Sequence, residues 1–391
     1  MNNSWMISGP CLYTEVGRIE QGSIVIHQGK IAALSPAMPS ANIQCYTFPA
    51  NYHLIPGLID FHVHGAAGAD SMDIDEGAFN ILRQALVQEG VTSYLATITT
   101  ASKEKIELII DHLTHCIKEQ DQFSGATCLG LYLEGPFISS KRAGALKPEF
   151  FLEPDFALLS VWCNLAKGLI KVMTFAPELP QADELFRFLT DHQVIASIGH
   201  TDAAFEITQK MLDLGCDHAT HLFNAMPPIH HRAPGAVTAL LLDERACVEV
   251  IADGIHLHPA IVKLIFKLKG KDRVIGITDA MRAKYLTDGE YELGGQNVHV
   301  KNNRAILNDG TLAGSTLKMN EAFRNMIAWT RCSIEEAIAM YSGNSAKRLG
   351  LYDQIGSLQV GKEADFVVMD SDFNVMMTVC KGNVCYRRED G

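Results

Sequence analysis

The pattern His62-Val63-His64 closes an apolar run over residues 54–64. Side chains alternate along a strand, so both imidazoles lie on one side of it. The arrangement recurs downstream. Glu134 falls in the apolar run 128–137, His200 in 194–202, His221 in 218–226, His256 in 247–258 and Asp279 in 273–281. Taken singly, each has a plainer explanation. A His-x-His pair can be surface decoration, a Glu or Asp can cap the next helix, and a loop histidine can be satisfied by its neighbours. Taken together they resist that explanation, because the same phase returns on separate strands. Burying so many titratable groups without an organising cation is costly.

His, Glu and Asp suit divalent zinc, iron or manganese. A two-ion centre is therefore expected. His62 and His64 hold one ion with Asp279 beside it; His200 and His221 hold the other, with Glu134 bridging the ions or serving the second. Such a centre brings the pKa of water towards neutrality. A neighbouring carboxylate can take the water's proton and return it to a leaving amine, and Asp279 is the candidate. The chemistry expected is hydrolysis of a C–N bond, with a phosphoester as second choice.

The loop 221–235, HLFNAMPPIHHRAPG, carries a second signal. Backbone amides at Asn224 and Ala225 could hold an anion, and the guanidinium fork of Arg232 matches an oxyanion. The alternative is a rigid surface loop set by Pro227, Pro228 and Pro234, with solvated charges. Residue types alone leave these readings level.

Something must bring these residues to one place. Eight apolar runs between 54 and 281 alternate with helical patterns such as EGAFNILRQALVQEG and ADELFRFLTDH. That alternation means a parallel sheet covered on both faces. Eight such units fit a (β/α)8 TIM-like barrel, whose function gathers at the carboxyl ends of the strands. No G-x-G-x-x-G follows the first strand, so a dinucleotide fold has no support. Both ends of the chain read as hairpins instead, with turns at Gly22 and Gly29. The expected organisation is a barrel over 55–349 and a small β-sandwich domain built from 1–54 and 350–391. A further hairpin is expected over 288–312, and closing helices over 317–329 and 333–348.

Composition agrees. The chain has 391 residues, 47% hydrophobic and 20% charged, which excludes disorder and a disulfide-stapled scaffold. The net charge is −12 and no Lys/Arg run exceeds two, so no nucleic-acid surface is expected. Any anionic substrate must be held by a few local groups. No leader-like segment and no apolar stretch of ~20 residues stand out, so no membrane contact is expected. Ten scattered cysteines without a C-x-x-C pair suit a reducing, cytoplasmic setting.

The ordered set PGLIDFHVHG (56–65), LEGPF (133–137), SIGHTDA (197–203), THLFNAM (220–226), IADGIHLHP (251–259), ITDAMRA (277–283) and DGTLAGS (309–315), followed by GNSAKRLGL and GSLQVGKEADFVV, resembles the N-acetylglucosamine-6-phosphate deacetylases of the amidohydrolase superfamily. The resemblance runs through almost the whole chain. It implies the same barrel and terminal β domain. It also implies hydrolysis of an N-acetyl amino-sugar phosphate to the free amine and acetate, in amino-sugar catabolism and recycling of cell-wall sugars.

Carried over by position, Glu134, His200 and His221 match the principal metal ligands and Asp279 the acid/base. His256 matches a histidine that contacts substrate and polarises the amide carbonyl. Asn224, Ala225 and Arg232 match contacts to the phosphate end, the arginine reaching the neighbouring active site in a homodimer. Ala145 and the stretch Leu312-Ala313-Gly314 match substrate contacts. His62 and His64 place the chain in the two-metal branch, and Leu146 stands where some members carry a histidine that touches the sugar. The rival readings are an N-acetylgalactosamine-6-phosphate deacetylase, a cyclic-amide hydrolase, and a metal-free scaffold of the same fold. Glu134 stands where cyclic-amide hydrolases place a modified lysine, and a scaffold would have lost ligands that this chain keeps.

Overall fold

A computed structural model of the chain describes residues 4–35 and 43–389. At its centre are β1 (Leu58–Val63), β2 (Val91–Ile98), β3 (Thr127–Glu134), β4 (Ile170–Phe175), β5 (Ile195–Ile198), β6 (His218–Ala219), β7 (Cys247–Ile251) and β8 (Val274–Ile277). They pair side by side in chain order, all parallel. Every residue of β1 and β2 is buried, as a sheet covered on both faces demands. The covering helices supply the matching stripe. Lys103–Glu119 buries Ile106, Ile109, Ile110, Leu113 and Ile117, spaced for one face. Its start is fixed by Ser102, whose hydroxyl accepts the Lys105 N–H.

The barrel closes between β1 and β8 without a regular ladder. The Asp279 N–H donates to the His62 carbonyl and the His64 N–H to the Ala280 carbonyl, each at 2.9 Å. Below them the buried Asp60 carboxylate accepts the hydroxyl and N–H of Thr278, at 2.5 and 3.2 Å. This seam fixes three of the chemistry-bearing residues at once.

Seven of the eight strands are shorter than their apolar runs, and two show why. His53–Pro56 belongs to a terminal sheet, and β1 starts only after Gly57, where a side chain would collide with Thr92. β6 ends at Ala219 because His221, Phe223 and Ala225 take left-handed backbone angles that a strand cannot use.

The chain ends form two facing sheets. One orders Lys30–Ser35, Ser23–His27, Ser4–Ser8 and Gln44–Thr47; the other orders Asn383–Arg387, Val375–Cys380, Phe366–Met369, His53–Pro56, Cys11–Thr14 and Gly17–Ile19. Ile7, Ile24 and Ile26 of the first pack against Leu12, Leu54, Phe366 and Met377 of the second, which makes a sandwich core. The turn at Gly29 is a hairpin, as expected. That at Gly22 instead passes the chain from one sheet to the other.

After β8 a three-stranded antiparallel sheet, Gly289–Leu293, Gln296–Lys301 and Arg304–Ile306, leans over the barrel mouth. Its Leu293, Val298 and Ala305 share a small core with Ala145, Met281 and Ala283. Arg282 pins it, with Nη2 3.0 Å from Asp73 and 3.2 Å from Glu292. The closing helices are Met319–Thr330, and Ile334–Ile338 continuing through a π turn to Arg348. Among the described residues no helix is long and apolar enough to cross a membrane. No disulfide joins any of the ten cysteines, all of which lie among the described residues.

Candidate active site

The strand ends deliver their side chains to one point. His62 and His64 leave β1, Glu134 ends β3, His200 follows β5, His221 follows β6 and Asp279 follows β8. All are buried. Oε1 of Glu134 lies 3.0 Å from Nε2 of His221, 3.1 Å from Nε2 of His200 and 3.7 Å from Nε2 of His62. Its Oε2 is 3.4 Å from Nε2 of His64. Oδ1 of Asp279 is 3.0 Å from Nε2 of His64 and 3.6 Å from Nε2 of His62. Four imidazole nitrogens thus face two carboxylates.

His200, His221 and Asp279 reach this point only through left-handed backbone, at φ 46°, 25° and 50°. Such angles cost energy for residues with side chains and tend to collect at functional sites.

The electrostatics set ionised carboxylates against imidazoles that favour their charged form. Burial pushes the Glu134 carboxyl up, but the hydrogen bonds of His200 and His221 outweigh it and hold it well below the usual range. Asp279 is likewise held low, by His64 and His62 against its burial. Burial disfavours charge on His64 and His221, yet the facing carboxylates raise both to about 9. Three imidazole nitrogens of the cluster, Nε2 of His62 and Nδ1 of His64 and His221, are buried without a hydrogen-bond partner, and that of His62 faces both carboxylates. The donor set is therefore one that a divalent cation fits. In each of two groups, His62–His64–Asp279 and Glu134–His200–His221, one ligand atom per residue lies within 4.8 Å of the others.

The cluster floors a cavity of about 260 Å3, in which His64, Glu134, His200, His221 and Asp279 are all reached. With this constellation at the mouth of an eight-stranded barrel, the comparison with known proteins is decisive. The profile of the amidohydrolase family matches residues 53–385. The chain belongs to the amidohydrolase family. An N-acetylglucosamine-6-phosphate deacetylase of Bacillus subtilis (strain 168) is 44% identical, covering 99% of this chain and 98% of its own. An N-acetylgalactosamine-6-phosphate deacetylase of Escherichia coli O157:H7 is 36% identical, covering 95% and 97%. The solved structure of a mutant N-acetyl-D-glucosamine-6-phosphate deacetylase from Mycobacterium smegmatis, in complex with N-acetyl-D-glucosamine-6-phosphate, superposes with a TM-score of 0.92 at 29% identity, covering 98% and 99%.

In this amidohydrolase the other expected residues fall into three sets. His256, Asn224, Ala225, Ala145, Leu312 and Gly314 line the cavity. Ala313 does not: it is fully buried in the core of the overhanging sheet, its N–H donating to Ala305. The alternation of an extended segment turns it away from its neighbours. Arg232 does not line the cavity of its own chain either. It is exposed on the loop after β6, with Nη1 2.5 Å from Nε2 of His231.

Several residues escaped the sequence reading. Phe223, Leu293 and Thr311 line the cavity beside Leu146. Nothing in their type marks them; only the left-handed turn and the overhanging sheet bring them in. Asp253 accepts the Nδ1 proton of His256 at 2.6 Å and two backbone N–H groups at 2.8 Å, so Nε2 of His256 is left for the cavity. The spacing Asp253-x-x-His256 was a legible signal. His200 is oriented by its Nδ1–H donating to the Arg142 carbonyl at 2.9 Å, and Arg142 is tied to Asp202. Finally Glu249, inside β7, sits behind His62. Burial raises its pKa, but hydrogen bonds from His218 and His62 bring it down to about 2.

Proposed function

We propose that this amidohydrolase cleaves the acetamide of N-acetyl-D-glucosamine 6-phosphate, giving D-glucosamine 6-phosphate and acetate. The observation that carries the reading is the convergence of four imidazoles and two carboxylates on a cavity, in a chain 44% identical along its length to a deacetylase of that substrate. His62, His64 and Asp279 are assigned to one divalent ion, and Glu134, His200 and His221 to a second. Zinc, iron and manganese all suit these donors. When bound, such ions supply Lewis acidity and lower the pKa of water.

The chain's own groups do the rest. Asp279, kept ionised by the facing histidines, takes the proton of the attacking water and passes it to the departing nitrogen. His256, braced by Asp253, turns Nε2 towards the acetyl carbonyl oxygen and favours the build-up of charge there. Ala145, Leu146 and the Leu312–Gly314 segment flank the sugar, with Ala313 holding that segment from behind. Backbone at Asn224 and Ala225 receives the phosphate end. The exposed Arg232 completes that end across a homodimer interface. Cysteines without disulfides suit a cytoplasmic setting.

Acetate release measured on both 6-phosphorylated N-acetyl sugars, with metal content determined on the same sample, tests the reading. The glucosamine derivative is the better substrate if it is correct. Preference for the galactosamine derivative reassigns the sugar, and full turnover after chelation removes the metal-assisted mechanism.

A further inference from the structure

Glu249 has no exposure and no place in the cavity lining, yet it touches both ligand groups. Its Oε2 accepts from Nδ1 of His62 at 3.1 Å and from the backbone N–H of His221 at 3.2 Å. Its Oε1 lies 3.1 Å from Nε2 of His218, which is also fully buried. A carboxylate alone inside a barrel strand is very unfavourable. Here its oxygens are filled by three donors.

The consequence runs outward. An ionised carboxylate only accepts, so the proton of neutral His62 is drawn to Nδ1 and the lone pair is left on Nε2. That Nε2 is buried without a hydrogen-bond partner, 3.7 Å from Glu134 and 3.6 Å from Asp279. The same carboxylate holds the N–H of His221, where the backbone bends to φ 25°. Two ligands on different strands therefore depend on one hidden group. We propose that Glu249 is a positioning residue that fixes the tautomer of His62 and, through the His221 backbone, assembles the two ligand groups as one unit. The inference rests on the metal-dependent reading above.

Histidine ring 15N spectra of the full-length, metal-stripped chain read the tautomer directly, the His62 signal being assigned by its loss in His62→Gln. Zinc affinity is read separately by chelator competition. Wild type should show His62 protonated at Nδ1; protonation at Nε2 overturns the proposal. Glu249→Leu should shift His62 away from that form and weaken zinc at the His62 group by about 10–100-fold, the usual effect of losing a group that orients a ligand. Unchanged affinity in a folded Leu variant overturns it.

Should the Leu variant fail to fold, Glu249→Gln decides. Its amide oxygen can serve His62 and His221 while its NH2 faces His218, so His62 keeps its proton on Nδ1 and zinc affinity stays near wild type. If the amide instead turns round, tautomer and affinity must change together. Either one changing without the other refutes the link. A chain with the expected tautomer and zinc affinity that releases no acetate would fail the functional reading and leave this one standing.

Discussion

His62, His64 and Asp279 belong to the wall where β1 and β8 close the barrel, whereas Glu134, His200 and His221 come from the wall at the ends of β3, β5 and β6. The first group is held by the fold itself: backbone bonds across the β1–β8 seam and a buried carboxylate behind His62. The second is held partly by the fold, since Glu134 ends β3 and the His221 N–H donates to Glu249, and partly by loops. His200 leans on the Arg142 carbonyl, and His221 opens the same turn that carries Phe223, Asn224 and Ala225 into the cavity. One group can change only with the barrel, while the other can change with the loops that meet the substrate. Both walls thus carry candidate metal ligands, and the second also carries loop residues that line the cavity.

The largest expected effect tests whether the walls are separate at all. Glu134 faces all four imidazoles, so Glu134→Ala should empty both groups and cost more than the ~10⁴-fold that acid–base catalysis can supply. His62→Ala with His64→Ala should remove one ion and leave the Glu134 group loaded, read by elemental analysis of the purified chains. Equal metal loss in the two variants would merge the walls into one. Next in size, Asp279→Asn should keep the fold and much of the metal but lower kcat by about 10²–10⁴-fold, because an amide cannot accept the proton. A near-normal rate would take Asp279 out of that role.

Protons and cations compete for the same nitrogens. His64 and His221, raised to about 9 in the cation-free chain, are protonated at pH 7 and must release those protons when an ion binds. Metal affinity should therefore fall as pH drops from about 9 towards 6. Calorimetry in buffers of different ionisation enthalpy should register the release, and a pH-independent affinity would contradict it.

The smallest effect belongs to the loop wall alone. Arg232→Ala should weaken phosphorylated substrate by about one to two decades, the worth of a charge-assisted hydrogen bond, with unphosphorylated substrate little affected. Mixing Arg232→Ala chains with Asp279→Asn chains should restore some activity if the arginine serves its partner's site. No rescue in verified mixed dimers would return it to its own.

The sequence reading was strongest where chemistry and periodicity coincide. His62, His64, Glu134, His200, His221 and Asp279 were visible because each is a polar residue at a strand end, and strand order in a barrel follows chain order. It failed where position depends on register or on local backbone. Glu249 reads as a stray charge within CVEVI until β6 and β7 pair, His218 beside Cys247, and bring its carboxylate within reach of the His218 ring and behind His62. Ala313 looked like its neighbours Leu312 and Gly314, since only the overhanging sheet decides which of them turns inward. The early end of β6 was hidden because left-handed angles at His221 and Phe223 have no signature in residues with side chains.

The seam also sets a clock. His64 and Asp279, 3.0 Å apart in the fold, are separated by 215 positions in the chain. At the usual synthesis rates of about 5–20 residues per second, the histidine pair emerges roughly ten to forty seconds before its carboxylate exists. During that interval the His62–His64 group lacks its carboxylate on the growing chain. The filling of that group is therefore deferred until the barrel can close, and an ion that enters it is judged by geometry rather than by order of arrival.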